Sequence, residues 1–249
     1  MNARFLAPGS YGPGDDIDLP DDEAQHLTRV LRLRAGDPVR VFDGRGREFA
    51  ATVTRTSKAG TSVRIGESHA AAPEPRVAIT IAHAVLKGDK MDDVVRDAVM
   101  IGAAAIQPIV THRTEIALDA LRRGRRRERW ERVAVSSAKQ CGRAVVPSIA
   151  EPVAFDALLD ALRALEVPEP AFMLVEPGAT GEAQVLSEIE AAPPREATLL
   201  IGPEGGWTSD EVDRAAAVCR LITLGGRTLR ADAMGIAAIA ALFAIWKEF

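Results

Sequence analysis

The chain has 249 residues, 47% hydrophobic and 27% charged, with 20 glycines and 15 prolines, enough for one large or two modest domains and too ordinary a mix for a disulfide-stapled miniprotein or a wholly disordered chain. A net charge of −4 argues against an indiscriminate nucleic-acid or membrane binder. The charge is unevenly laid, with ten basic against four acidic residues between Arg113 and Arg143 and fourteen acidic against two basic from Ala150 to Asp213, a basic face that fits local contact with a polyanion.

The opening MNARFLAPGS carries no signal-peptide apolar core, so a cytoplasmic location is expected. From Asp21 to Leu31 an acidic first turn and apolar spacing predict one short helix, ending before Ala35-Gly36-Asp37-Pro38. Val39 to Phe42 alternates, Asp43-Gly44-Arg45-Gly46 turns, and Glu48 to Val53 returns, which predicts a hairpin in a small β-domain. Ala70-Ala-Ala-Pro-Glu-Pro75 reads as a linker. From Arg76 apolar runs alternate with amphipathic stretches, the pattern of an α/β sheet with mostly parallel, buried strands. Strands are expected over 77–82, 105–110, 172–175, 197–201 and 220–224, and helices over 90–100, 125–140, 155–164, 209–217 and 233–246. The longest charge-free apolar stretch, Ala233 to Trp246, falls short of the ~20 residues of a membrane span.

Three of these strands run into glycine loops: Val175-Glu-Pro-Gly178, Ile201-Gly-Pro-Glu-Gly-Gly206 and Leu224-Gly-Gly-Arg-Thr-Leu-Arg230. Ligands of open α/β sheets bind beyond the carboxyl ends of the strands, and glycine lets backbone approach them closely. Together the loops predict one pocket, although each alone also reads as an ordinary turn. Thr208 or Ser209 caps the next helix, with Asp210 and Glu211 in its first turn. Capping leaves Pro203-Glu204-Gly205-Gly206 unexplained, and it is neither a Walker loop nor a GxGxxG fingerprint.

Arg122 to Arg132 reads either as a solvated helix face with Glu128 and Arg132 paired or as a sequence-independent phosphate contact. Trp130 reads as a packing residue and Cys141 as a small buried one. Cys141 and Cys219 form no CxxC pair, and His26, His69, His83 and His112 are scattered; no metal and no disulfide are expected.

The motif Leu200-Ile-Gly-Pro-Glu-Gly-Gly206 with Glu211 beyond it, and Leu224-Gly-Gly-Arg-Thr-Leu-Arg230 before an alanine-rich final helix, accompany four others. These are His26-Leu-Thr-Arg-Val-Leu-Arg32 with Arg34-Ala-Gly-Asp37, Lys87-Gly-Asp-Lys-Met91, and Ala138-Lys-Gln-Cys-Gly-Arg143 with Pro147. In this order, over nearly the whole chain, they resemble the RsmE family of ribosomal RNA uridine-N3 methyltransferases, within the SPOUT superfamily. The resemblance implies a PUA-like β-barrel over residues 1–72 that grips RNA. It also implies an α/β trefoil-knot domain over 73–249, with a mostly parallel sheet, that binds S-adenosylmethionine, pairs as a homodimer and methylates N3 of a uridine in 16S ribosomal RNA of the small subunit.

On that resemblance the glycine loops become the cofactor pocket, walled by Leu174, Val175, Glu176, Ile201, Gly202, Pro203, Gly206, Leu224, Gly225, Leu229 and Arg230. Attack of N3 on a sulfonium methyl is an in-line displacement in which N3 also loses a proton. Arg230 is expected to stabilise the uridine anion, Arg4 to reach RNA or the site, and Glu204 or Asp232 to take the proton. RNA contacts are expected from Arg4, His26, Arg29, Arg32, Lys87, Lys90, Arg113, Arg125, Arg126 and Arg143. Relatives usually carry a glutamate where Met100 stands, and a glutamate where Asp232 stands. These departures motivate a second reading, an RNA-binding assembly factor without turnover; a third is a SPOUT methyltransferase acting at another RNA position.

Overall fold

A computed structural model describes residues 2–57, 60–165, 169–180 and 183–249. The chain divides into two units, one holding residues up to Glu74 with Val135–Val146, the other Pro75–Ala134 with Pro147–Phe249.

In the first unit, β1 (Arg4–Leu6), β2 (Asp16–Asp18), β3 (Pro38–Phe42), β4 (Glu48–Ser57) and β5 (Gly60–His69) form one sheet in the order β1-β3-β4-β5-β2. The expected hairpin is present, with Val39 opposite Ala51 and Val41 opposite Phe49. These alternate residues point into a core with Phe5, Leu27, Val53, Val63 and Ile65, as period-two patterning requires. The helix expected over Asp21 to Leu31 is α1 only through Gln25; the chain then winds as a π-helical turn, His26–Val30.

Sequence reading placed Val135–Val146 in the second domain; in the structure it groups with the first. Charged contacts tie it there. Arg4 donates to the carbonyls of Ala138, Lys139 and Arg143 at 2.6, 2.9 and 2.8 Å while pairing with Glu48 at 2.7 Å. Lys139 reaches Glu23 at 2.6 Å, and Arg143 holds Glu74 at 2.5 Å.

The second unit contains β6 (Ala78–Ala84), α2 (Lys90–Ile101), β7 (Ala105–Val110), α3 (Leu118–Arg123), the first part of α4 (Arg126–Cys141), β8 (Ser148–Ile149), β9 (Val153–Ala154), α5 (Phe155–Arg163) and β10 (Ala171–Leu174). It continues through β11 (Gln184–Val185), β12 (Glu196–Ile201), α6 (Ser209–Ala216), β13 (Arg220–Thr223) and α7 (Ala231–Trp246). Its sheet runs β11-β13-β10-β12-β6-β7-β8, with β9 also on β7, and every pairing is parallel. Burial on both faces accounts for the unbroken apolar runs Ala171–Leu174 and Leu199–Ile201. α7 lies tight on β6 through Gly235, where a Cβ would stand 2.7 Å from Ile81 Cδ1.

Two expectations about the basic run change. It is split by Gly124 into α3 and α4, and the i,i+4 pair is Arg127 with Glu131 rather than Glu128 with Arg132. Trp130 is buried, as its packing role requires. Among the described residues no helix is long and apolar enough to cross a membrane, and no three metal-ligating side chains converge.

β10 lies between β12 and β13, all three parallel. Their carboxyl ends therefore share one sheet edge, and the three glycine loops emerge side by side. That adjacency is what makes a site.

Candidate active site

The loops enclose a cavity of about 290 Å³. Of the residues expected on its wall, Leu174, Val175, Glu176, Ile201, Gly202, Pro203, Gly206, Leu229 and Arg230 are there, and Leu224 and Gly225 are not. Glu204 and Asp232 line it as well, together with Lys90, which the sequence reading had set aside for RNA. Trp207, Thr228, Ala231 and Met234 complete the wall and were missed.

Trp207 explains one of the glycines. Its indole Nε1 donates to the Leu174 carbonyl at 2.8 Å, and its ring packs on Phe155 at 5.2 Å between centroids. A Cβ on Gly202 would stand 3.0 Å from that indole, so a side chain there displaces the ring that closes the wall. Gly206 adopts φ +69°, the left-handed region, and donates to the Pro203 carbonyl at 2.9 Å. This tight turn is the structural reason for the Pro203–Gly206 segment that capping did not supply. Behind it Thr208, not Ser209, caps α6 in a reciprocal box with Glu211. Buried Glu211 also accepts the His112 backbone N–H at 2.8 Å, a bond that ties the loop after β7 to the first turn of α6 and has no sequence signal.

Four charges alternate around the mouth. Arg230 donates to Asp232 through Nε at 3.0 Å and Nη2 at 2.6 Å, and Lys90 Nζ meets Glu204 at 2.7 Å. The hydrogen bond from Arg230 holds the Asp232 carboxyl below its ordinary range, and the same bond raises Arg230. For Glu204, burial works upward, yet the Lys90 hydrogen bond and backbone N–H donors outweigh it and leave the carboxyl below its ordinary value. Two carboxylates held ionised by cations are poor proton acceptors. Glu176, by contrast, lies on the wall with no ion pair among the described residues.

His83 is fully buried, and burial pushes its pKa down although hydrogen bonds oppose the shift. Its Nε2 lies 3.1 Å from the Ala231 carbonyl, which anchors the start of α7 next to Arg230.

The remaining candidates separate by burial. Arg4 and Arg143 are only 8% and 4% exposed, and both are engaged in the ion pairs that gather the first unit. The expectation that they touch RNA is therefore corrected: the Arg4 guanidinium spends its donors on three carbonyls and Glu48, and Arg143 is buried against Glu74. His26, Arg29 and Arg32 are exposed, as are Lys87, Arg113 and Arg125, while Arg126 is half-buried. Lys87 pairs with Glu115 at 3.2 Å, and Arg113 donates to the Gly205 carbonyl at 2.6 Å, supporting the loop rather than standing clear of it. Met100 is an exposed apolar side chain on α2.

Residues 73–243 match a family model described as an RNA methyltransferase domain, and residues 19–65 match one described as an RNA methyltransferase PUA domain. The chain is 29% identical over 227 residues to Ribosomal RNA small subunit methyltransferase E of Bacillus subtilis, covering 90% of this chain and 88% of that one. The Synechocystis protein of the same name is 29% identical over 233 residues, covering 93% and 74%. Among solved structures, Ribosomal RNA small subunit methyltransferase E from Neisseria gonorrhoeae, bound to S-adenosyl methionine, superposes with a TM-score of 0.88 at 29% identity, covering 99% and 98%. A protein from Legionella pneumophila in complex with the bound cofactor SAM gives 0.87 at 28% identity, covering 98% of both chains.

Proposed function

The chain belongs to the RNA methyltransferase family, and from that premise we propose that it transfers the methyl group of S-adenosylmethionine to N3 of a uridine in 16S ribosomal RNA of the small subunit. The observation that carries this reading is Arg230, braced by Asp232 at the mouth of a glycine-walled cavity. The wall suits the cofactor: Leu174, Val175, Ile201, Trp207, Leu229 and Met234 offer apolar surface, and the glycine loops offer backbone groups to a purine edge. Leu174, Ile201 and Gly202 would hold the adenine, and Glu176 offers a carboxylate to a cationic ligand. When bound, S-adenosylmethionine supplies a methyl group on a positively charged sulfur.

The protein's own contribution is placement and charge. Holding the base in line with the methyl is the main task, since the displacement needs no covalent help. N3 is a nucleophile only once its imide proton has gone, and Arg230 answers that need. Its Nε and Nη2 are occupied by Asp232, leaving the Nη1 edge of a fixed guanidinium for the developing uridine anion. Lys90, fixed by Glu204, places a second cation on the same wall. Depressed Glu204 and Asp232 act through these cations, and the proton leaves to solvent at an open mouth. This replaces the assignment of either carboxylate as the base.

The silent assembly factor gains nothing from Asp232, which reaches Arg230 despite being one methylene shorter than glutamate. Exposed Met100 and Leu229 support the homodimer in the same reading, and action on ribosomal RNA supports a cytoplasmic location.

The test is methyl transfer from labelled S-adenosylmethionine to small ribosomal subunits lacking the modification, followed by mapping of the label. Label at a uridine N3 is expected. Label at another position selects a different RNA target, and no label with bound cofactor selects the silent factor.

A further inference from the structure

We propose that Val30 and Leu31, ringed by Arg29, Arg32 and Arg34, form a wedge that enters between unstacked RNA bases while the guanidiniums hold the neighbouring phosphates. The proposal rests on the RNA methyltransferase reading and names a contact that reading leaves open.

The winding of the chain makes the tip. In the π-helical turn after α1, the Leu31 N–H bonds the His26 carbonyl at 3.1 Å and the Leu33 N–H bonds the Leu27 carbonyl at 3.0 Å. Leu27 is buried and Leu33 packs against the same core, so both ends of the turn are anchored. Between them Val30 is left 66% and Leu31 41% exposed, adjacent apolar side chains that the core does not use. π-turns are rare, and they gather at functional sites.

Arg32 has φ 56°, a conformation that glycine adopts freely and a side-chain-bearing residue adopts at a cost. Among the described residues only Lys247 shares it outside glycine. A glycine would make the turn more cheaply, so the guanidinium at this point serves something other than the fold. The charges agree: Arg29, Arg32 and Arg34 make no ion pair among the described residues, whereas Arg4, Arg47, Arg55 and Arg64 of the same unit each hold a carboxylate. Uncompensated cations around an apolar tip match a ligand that offers phosphates and base faces within one nucleotide step. RNA with unpaired bases is such a ligand, and aliphatic wedges entering base steps are a known mode of nucleic-acid contact.

The test measures the Kd of the full-length protein for transcribed 16S ribosomal RNA across a salt series. Val30→Ser with Leu31→Ser is expected to weaken binding about ten-fold with the salt slope unchanged, because no phosphate contact is lost. Arg29→Ala or Arg34→Ala should weaken binding and lower the slope by about 0.7 each. Arg32→Gly should keep or raise the melting temperature while weakening RNA binding, which separates the wedge from folding. Unchanged RNA affinity in the double serine variant overturns the wedge, as does a change confined to self-association. Failure of the wild-type protein itself to bind the RNA strikes the underlying reading instead.

Discussion

Two arginine–carboxylate pairs in this molecule share one chemistry and do opposite work. Arg4 with Glu48 is sealed inside the first unit, its remaining donors on three carbonyls. Arg230 with Asp232 stands at the cavity mouth in the second unit, with the arginine side chain 73% exposed. In the first pair the carboxylate satisfies a cation that water cannot reach. In the second the carboxylate holds a cation on the cavity wall. Both arginines are catalytic candidates by motif; Arg4 is buried, and Arg230 stands on the cavity wall.

The largest effect expected is on folding, from Arg4→Ala. The substitution leaves the Glu48 carboxylate buried, with Arg40 3.8 Å away as its remaining cation, and leaves three carbonyls short of a donor. Breaking a buried pair in this way costs about 3–5 kcal/mol, which calorimetry should show as a melting temperature lower by roughly 10 °C. Arg4→Lys should not restore it, since a point charge cannot replace the forked donors. A variant that melts like the wild type and loses only RNA binding would reverse the correction made for Arg4.

Arg230→Ala should behave in the opposite way. Removing a preorganised cation at the developing charge lowers the rate by about 10²–10³, read as single-turnover methyl transfer, while cofactor Kd and melting temperature stay near wild type. Asp232→Asn should give a smaller loss by the same route, because it loosens Arg230 without removing it. Equal losses in stability and rate would mean that the mouth pair is structural, and the contrast between the two pairs would collapse.

Acidity probes the same pair from the other side. Asp232 and Glu204 sit below their ordinary values of 3.8 and 4.5. A carboxyl depressed in the folded state contributes its stabilisation above the ordinary value and loses it as pH falls through the depressed one. Both mouth pairs therefore remain intact throughout the range from pH 5 to 8, and the rate should climb with pH as N3 ionises. A pH–rate profile with an acid limb between pH 5 and 8 that vanishes in Glu204→Gln would restore Glu204 as a base.

Much of this architecture was legible in the sequence, and what was not has identifiable causes. The β3–β4 hairpin and the strands leading into the glycine loops follow from local alternation and apolar runs. β1 did not show, because its three residues pair in parallel with β3 at a separation of 36 positions, Arg4 with Arg40, and no local pattern encodes that. The π-turn was read as plain helix because its side chains keep helical spacing until Arg32 turns left-handed. Trp207 has no local signal, because what places it on the wall is a hydrogen bond to the Leu174 carbonyl, 33 positions away. The burial of Arg4 and Arg143, which counts against RNA contact, is a property of the fold and has no local pattern.

The glycine loops allow a finer cut through the same contrast. Gly202→Ala places a methyl 3.0 Å from the Trp207 indole, so the ring must move by a few tenths of an ångström or release the Leu174 carbonyl. Binding of S-adenosylmethionine should weaken about ten-fold, equivalent to ~1.4 kcal/mol, and tryptophan fluorescence should shift. Isothermal titration checks it. An unaffected affinity would mean that Trp207 closes the core and contributes nothing to the ligand wall.

The smallest effect concerns the basic run on α3 and α4. Arg127 is engaged by Glu131, Glu151 and the Ile149 carbonyl, and Arg129 by Asp89 and Asp92, so these two belong to the fold of the second unit. Arg125 and Arg126 have no such ion pairs among the described residues, so reversing them breaks none. Arg125→Glu with Arg126→Glu should leave melting unchanged and flatten the salt dependence of RNA binding by about one phosphate contact per residue. An unaltered salt slope would make the whole run a solvated helix face. The distinction drawn between Arg4 and Arg230 would then extend to a third class, arginines that serve neither folding nor chemistry but keep a helix in water.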